Sequence, residues 1–178
     1  MNPRWRLGLW AMLAAGVILR LAVIIHNGHT PRHDLFPGMD EVNYRELAEN
    51  LRTERIFAAW TGGFLTRSTR SPGYPVALAA AEMLSAGSSW TAPALNLLLD
   101  LLNLALVFLL AGRWYGAHAA GTAAALYALF GPVFLYLPLA TPEILRVTLV
   151  LLICLGLAQL RTHYWRTAPA VAVLFAWL

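Results

Sequence analysis

The chain has 178 residues, of which 59% are hydrophobic and 12% are charged, and its mean hydropathy is +0.60. Soluble domains carry about twice that fraction of charged residues, so the composition excludes an ordinary soluble domain and indicates a membrane protein. The formal net charge of +4 comes from arginines scattered along the chain, which excludes a nucleic-acid-binding patch. The single cysteine excludes an internal disulfide framework.

Apolar runs follow one another along the sequence, at about 7–25, 91–111, 116–139, 144–160 and 167–178. A membrane-spanning helix needs about 20 mostly apolar residues, so the first four runs are predicted to span the lipid bilayer. The fifth run reaches the last residue without a polar flank. We therefore expect an all-α, polytopic membrane protein, and we expect this chain to be the N-terminal part of a longer protein.

The one long polar segment, 26–90, is predicted to hold two helices that lie on the membrane surface. The first is expected at about 40–54, because apolar residues there recur at the spacing of one helical face. These residues are Tyr44, Leu47, Ala48 and Leu51. The second is expected at about 73–86, where an apolar stretch is too short to cross the bilayer.

Arginines in the short connections predict the orientation of the spans. They precede the first run and follow the second and fourth runs, and they are Arg4, Arg6, Arg113, Arg161 and Arg166. Basic residues favour the cytoplasmic side of a membrane. We therefore expect a cytoplasmic N-terminus in the cell membrane, with segment 26–90 and the turn near 138–142 on the external, periplasmic side.

An acidic pair, Asp40 and Glu41, stands at the start of the first surface helix. A carboxylate at a membrane surface can act as a general base, and two together can hold a divalent metal ion through their oxygens. The alternative is that the pair only caps the helix and interacts with its dipole.

Arg70 lies in the turn 70–75, directly before the second surface helix. A guanidinium at this place suits a bound phosphate, and the alternative is simple anchoring to lipid headgroups. Glu143 opens the fourth run, with Arg146 three residues later on the same helical face. These two residues can belong to a functional site or form a structural ion pair.

Polar residues also occur within the predicted spans. Asn96, Asp100 and Asn103 share one face of the second run, which is typical of polar contacts between helices. Arg20 lies deep in the first run. We expect Arg20 and Asp100 to pair, because an unpaired charge inside a bilayer is costly.

Four motifs occur in a fixed order and cover nearly the whole chain. They are Arg20-Leu21, the acidic helix start Asp40-Glu41-Val42-Asn43-Tyr44, the turn Arg70-Ser71-Pro72-Gly73-Tyr74-Pro75, and the span start Thr141-Pro142-Glu143. Together they resemble the N-terminal part of GT-C fold glycosyltransferases. The group that they resemble contains the bacterial and archaeal relatives of protein O-mannosyltransferases and of the lipid A aminoarabinose transferase.

The resemblance implies a GT-C-type helical bundle that moves a sugar from a polyprenyl-phosphate donor to a lipid, glycan or protein acceptor at the external face of the membrane. It implies Asp40 as the catalytic base and Asp40 and Glu41 as candidate ligands of a divalent metal ion. The substrate contacts that it implies are Glu41, Tyr44, Arg70, Tyr74 and Glu143. The family has about twice as many spans, so we expect the 178-residue chain to be inactive by itself.

Two other hypotheses stay open from the sequence. A non-catalytic membrane subunit that binds polyprenyl lipids would keep the arginines and aromatic residues but would tolerate loss of Asp40. A small transporter fragment would use Arg20 and Asp100 as a coupling pair, and it would stop working when Asp100 is neutralised. The transporter hypothesis gives no reason for the acidic helix that begins at Asp40.

Overall fold

The structure, a computed structural model, describes residues 3–27, 40–61, 64–67 and 70–177. Within these residues the chain is mostly helical, as expected, with seven α-helices and one two-stranded antiparallel hairpin. The elements in chain order are α1 (Pro3–Asn27), α2 (Glu41–Thr53), β1 (Ala58–Thr61), β2 (Phe64–Arg67), α3 (Gly73–Ser85), α4 (Thr91–Tyr115), α5 (Ala117–Ala128), α6 (Gly131–Tyr136) and α7 (Glu143–Trp177). Of the described helices, two are long and apolar enough to cross a membrane, over Leu7–Asn27 and Thr91–Tyr115.

The apolar run at 116–139 does not form one helix, contrary to the prediction. It is divided into α5 and α6, and Phe130 between them has an extended backbone with φ −71° and ψ 103°. Pro132 explains the division, because its nitrogen has no hydrogen to donate and its ring would clash with the carbonyl of Ala128 in a continuous helix. Helix α5 has 12 residues, which is too short for a full span by itself.

The last two apolar runs, 144–160 and 167–178, were predicted as separate spans with a turn between them. The structure instead has the single helix α7, which continues from Glu143 to Trp177 and contains Pro169. The residues between the runs, 161–166, are polar and aromatic but include neither glycine nor proline. Polarity alone does not end a helix, so the predicted turn is helical.

A buried polar network joins α1, α4 and α5. Arg20 and Asp100 are both fully buried and form the ion pair that the sequence predicts. Arg20 also donates to the Ala128 carbonyl at 2.5 Å, and the Tyr127 hydroxyl donates to the second carboxylate oxygen of Asp100 at 2.7 Å. Gly16 permits this contact, because a Cβ there would lie 2.6 Å from the Ala128 carbonyl oxygen.

Helices α2 and α3 form a layer at the N-terminal end of α4. The ranges of both helices agree within one residue with the predicted surface helices at about 40–54 and 73–86. The apolar face of α2 packs against other parts of the protein, and the position of the helix on a membrane surface stays a prediction. Its core cluster consists of Tyr44, Ala48, Tyr74, Leu78, Ala79, Ala92 and Ala140.

The β1–β2 hairpin is the one element among the described residues that is not helical, and it was not predicted. Its strands pair in the register Ala58–Arg67, Ala59–Thr66, Trp60–Leu65 and Thr61–Phe64. Gly62 and Gly63 separate two short runs of residues with good strand propensity, which is a recognised hairpin signal. Strands of four residues are too short for their alternation to stand out beside the much longer helical patterns.

Candidate functional site

Four separate segments of the chain supply the candidate site. They are the start of α2 with Asp40 and Glu41, the turn before α3 with Arg70, the connection 137–142, and the first turn of α7 with Glu143. The N-terminal half of α4 lies beneath them and carries the polar side chains that hold these segments together. The site is therefore assembled on one end of a single long helix.

Asn96 on α4 is the central support. It is fully buried, and its side-chain oxygen accepts a hydrogen bond from the Tyr74 hydroxyl at 3.2 Å. Its amide nitrogen lies 2.6 Å from the Leu139 carbonyl and 3.2 Å from the carbonyls of Tyr136 and Leu137. One side chain therefore ties α3 and the connection before α7 to the same turn of α4.

Asn103 lies two turns further along α4 and acts on α7. Its amide donates to the Ile144 carbonyl at 3.2 Å, and Asn103 is fully buried. Because Ile144 follows Glu143 directly, this contact fixes the position of Glu143 relative to α4. From the sequence, Asn96 and Asn103 were expected to make polar contacts between helices. The structure adds that their hydrogen bonds hold the connection before α7 and the first turn of α7 in place.

Two tyrosines form the floor of the site. The rings of Tyr44 and Tyr74 meet edge to face, with centroids 5.9 Å apart and planes at 86°. Such pairs stabilise beyond the area that they bury, by about 0.5–1.5 kcal/mol. Both residues are almost completely buried, at 2% and 1% exposure. The structure therefore places both rings inside the protein next to the charged groups, and their predicted contact with a substrate stays a prediction.

Asp40 and Arg70 form an ion pair between the start of α2 and the turn before α3. Both side chains are partly exposed, at 47% for Asp40 and 33% for Arg70, so the pair is open to an incoming molecule. Asp40 stands at the N-cap position of α2, but its side chain makes no capping hydrogen bond. Simple helix capping therefore does not account for this carboxylate.

Glu41 links the start of α2 to the segment 137–142 that precedes α7. Its Oε1 accepts a hydrogen bond from Arg45 at 2.9 Å and another from the backbone N–H of Ala140 at 3.3 Å. Its side chain is only 13% exposed. The contact to Ala140 explains why an acidic residue at this position matters for assembly of the site, irrespective of any contact with substrate.

Glu143 and Arg146 complete the charged cluster from α7. Their closest nitrogen–oxygen distance is 3.9 Å, and their side chains are 37% and 49% exposed. The Oε2 atom of Glu143 and the Nε atom of Arg70 are shielded from solvent, and neither has a hydrogen-bond partner among the described residues. Buried polar atoms normally have partners, so these two atoms are exceptions among the described residues.

The electrostatics of Tyr44 show that these charges surround one place. Burial raises the pKa of the Tyr44 hydroxyl above its usual value. The guanidiniums of Arg146 and Arg70 oppose this shift, and the carboxylates of Asp40 and Glu143 add to it. Charged groups from three segments thus act on the same buried ring. Burial likewise raises the pKa of Tyr74.

The structure brings together all six residues that the sequence singled out. They are Asp40, Glu41, Tyr44, Arg70, Tyr74 and Glu143. Two further contributions were missed. No role in the site was predicted for Arg45, and Asn96 was predicted only to make contacts between spans. The spacing of Arg45 four residues after Glu41 is the signal that would have linked it to the site.

Within the part of the chain that the structure describes, the predicted divalent metal site at Asp40 and Glu41 gains no third ligand. Among the described residues, no group of three or more histidine, cysteine, aspartate or glutamate side chains is placed to hold a metal ion. Asp40 is paired with Arg70, and Glu41 with Arg45. A pair of carboxylates that already faces two guanidiniums is a poor fit for a divalent cation, which prefers six or more oxygen ligands.

Comparison with known proteins adds no assignment to this geometry. No family model, no curated protein and no solved structure matches the chain. The resemblance to GT-C glycosyltransferases therefore depends on the four sequence motifs. The function has to be inferred from the residues of the site and from the helices that carry them.

Proposed function

We propose that the chain is part of a polytopic membrane glycosyltransferase that uses a polyprenyl-phosphate sugar and transfers the sugar with inversion at the external face of the membrane. The observation that carries the proposal is the open Asp40–Arg70 ion pair, with Glu143 beside it. A general base next to a phosphate-binding cation is what such a transfer needs. The order of the four motifs supports the same family.

The membrane placement is supported by the two helices that are long and apolar enough to cross a bilayer. The first ends at Asn27 and the second begins at Thr91, so the segment between them belongs to one side of the membrane. The hydrogen bonds of Asn96 hold the connection before α7 at that same end of α4. The arginine distribution favours the external side for this end.

In the proposed reaction, Asp40 takes the proton of the acceptor hydroxyl while the acceptor oxygen attacks the anomeric carbon of the sugar. The bond from the anomeric carbon to the phosphate oxygen breaks, and the polyprenyl phosphate leaves with the electron pair. Arg70 stabilises the negative charge on the leaving phosphate by charge-assisted hydrogen bonds. Arg146 adds positive charge to the same region.

The donor phosphate also competes for Arg70. When Arg70 turns towards the phosphate, the Asp40 carboxylate loses its present partner and becomes available to accept a proton. The Glu143 side chain is 37% exposed, and its carboxylate can accept a hydrogen bond from a sugar hydroxyl. Glu41, Tyr44 and Tyr74 keep these groups in place from beneath.

The two alternative hypotheses differ from this proposal at specific residues. A non-catalytic lipid-binding subunit needs Arg70 but not the Asp40 carboxylate. A transporter needs a mobile charge pair, whereas Arg20 and Asp100 are fully buried and each is held by further hydrogen bonds from or to α5. Such a saturated network fits a structural link between helices.

The proposal is tested on the protein expressed from its complete reading frame. Purified protein in nanodiscs is supplied with a radiolabelled polyprenyl-phosphate hexose or pentose and with extracted membrane lipids as acceptor. We expect a labelled product whose glycosidic linkage has the anomeric configuration opposite to that of the donor, as determined by NMR. A retained configuration would exclude a single displacement with Asp40 as base.

A further inference from the structure

The β1–β2 hairpin exposes apolar side chains that the proposed active site does not use. Trp60, Phe64 and Leu65 are 61%, 74% and 52% exposed. Trp60 and Leu65 are directly opposite in the strand register, so their side chains share one face of the hairpin. Phe64 is the neighbour of Leu65 in the strand and therefore projects from the other face. The free end of the hairpin is apolar on both faces.

Strand β1 of the hairpin is held against α2. The side-chain amide of Asn50 donates to the Ala58 carbonyl at 2.8 Å, and the Glu46 carboxylate accepts from the Trp60 N–H at 2.8 Å. Ala58 and Ala59 are fully buried. The exposed residues therefore belong to an element that is fixed to α2.

A basic residue lies on one face of the hairpin, two register positions from the Trp60–Leu65 pair and opposite Ala58. Arg67 is exposed and lies two positions after Leu65 in the same strand, so it shares the face of Trp60 and Leu65. Tryptophan with arginine is typical of the headgroup level of a bilayer, where the ring is placed among lipid and the guanidinium meets phosphate. A protein partner would cover one face of a hairpin, whereas lipid can surround both faces of its tip.

We propose that the tip of the hairpin inserts into the headgroup region of the outer leaflet. Trp60, Phe64 and Leu65 lie among the lipids, and Arg67 binds the phosphates. This inference rests on the membrane placement given above and not on the transfer chemistry. Its consequence is that α2, and with it Asp40, is held at a fixed height where the phosphate of a lipid-linked donor arrives.

The test uses the single cysteine of the chain, Cys154. In a Cys154→Ser background, Phe64→Cys is labelled with a nitrobenzoxadiazole fluorophore, and the full protein is placed in nanodiscs of phosphatidylcholine and phosphatidylglycerol. Two control positions are labelled in the same way. Glu54→Cys lies on an exposed turn that precedes the hairpin in the sequence. Leu98→Cys lies on α4, where the Leu98 side chain is 67% exposed.

We expect the label at position 64 to be quenched several-fold more by a nitroxide at the lipid headgroup than by aqueous iodide. The label at position 54 should show the reverse, and the label at position 98 should respond to a nitroxide deep in the acyl chains. Equal iodide quenching at 64 and 54 would overturn the hairpin proposal. Loss of the deep quenching at 98 would instead refute the membrane placement, so the two failures are distinguishable.

Discussion

Replacement of Asn96 tests whether one buried amide assembles the site. In Asn96→Leu, the carbonyls of Tyr136 and Leu139 keep one partner each, because they also accept backbone hydrogen bonds. The Tyr74 hydroxyl and the Leu137 carbonyl lose the partner that Asn96 supplies. A buried polar group without a partner costs about 1–3 kcal/mol, so these two together predict a loss of about 2–6 kcal/mol in the free energy of unfolding.

The matched variant is Tyr74→Phe, which removes only the hydroxyl that donates to Asn96. The substitution leaves the side-chain oxygen of Asn96 buried without a partner, which predicts a loss of about 1–3 kcal/mol in the free energy of unfolding. In the double variant, the Tyr74 hydroxyl no longer needs a partner. The sum of the two single losses should therefore exceed the loss in the double variant, by about 1 kcal/mol or more.

The assay is unfolding in mixed micelles with increasing sodium dodecyl sulfate, followed by circular dichroism, for the wild type and the three variants. A loss below about 1 kcal/mol in Asn96→Leu would refute the reasoning, because it would show that water or a rearranged backbone satisfies the freed groups. Strict additivity of the two single variants would refute the contact between Tyr74 and Asn96.

Two further predictions concern the packing of α1 and the layer above α4. Gly16→Ala is expected to destabilise the protein by about 1–3 kcal/mol, because its Cβ would lie 2.6 Å from the Ala128 carbonyl oxygen. Gly8→Ala, with open space around the added Cβ, is the control that should leave stability unchanged or improve it in the same unfolding assay. Burial raises the pKa of the Glu82 carboxyl, and the negative charge of Glu49 raises it further. The positive charges of Arg52 and Arg45 oppose this shift. Because the pKa of Glu82 is higher in the folded protein than in the unfolded chain, protonation of Glu82 stabilises the folded protein. This contribution is fully present below pH 4.5, the usual pKa of a glutamate, and is lost as the pH rises through the pKa of the folded protein. Glu82→Gln should therefore be more stable than the wild type at pH 7, with the difference disappearing at acidic pH in pH-dependent unfolding, and a difference that does not change with pH would contradict the assignment.

The sequence predicted the elements whose pattern is long. The runs at 7–25 and 91–111 are within helices because about 20 apolar residues leave few other possibilities. The pairing of Arg20 with Asp100 was also predictable, because an unpaired charge in apolar surroundings is costly and the two residues have opposite charges. The apolar face of α2 was also predicted, but its partner was not, because periodicity identifies a buried face without saying what covers it.

Local exceptions to the pattern were harder to predict. Pro132 interrupts an apolar run that otherwise has the length of one span, whereas Pro169 lies inside α7 without ending it. The difference depends on tertiary surroundings, which composition does not contain. The hairpin was missed because its strands are short, although the sequence Gly62-Gly63 between two short runs is a hairpin signal.

The candidate site could be predicted residue by residue but not as an assembly. Asp40, Arg70 and Glu143 were singled out from their chemistry and from family resemblance. Their convergence depends on Asn96 and Asn103, whose contacts are to backbone carbonyls of the connection before α7 and of its first turn. No side-chain pattern in the sequence indicates which carbonyls a buried amide will contact.

The central claim, that Asp40 is the base of a sugar transfer, is tested most directly by the transfer rate of Asp40→Asn. The rate is measured on the protein from its complete reading frame, with Glu49→Gln on the outer side of the same helix as the control, since that side chain is 52% exposed. The account predicts a rate lowered by about 10²–10⁴-fold in Asp40→Asn and unchanged in the control. Transfer at the wild-type rate by Asp40→Asn would contradict it.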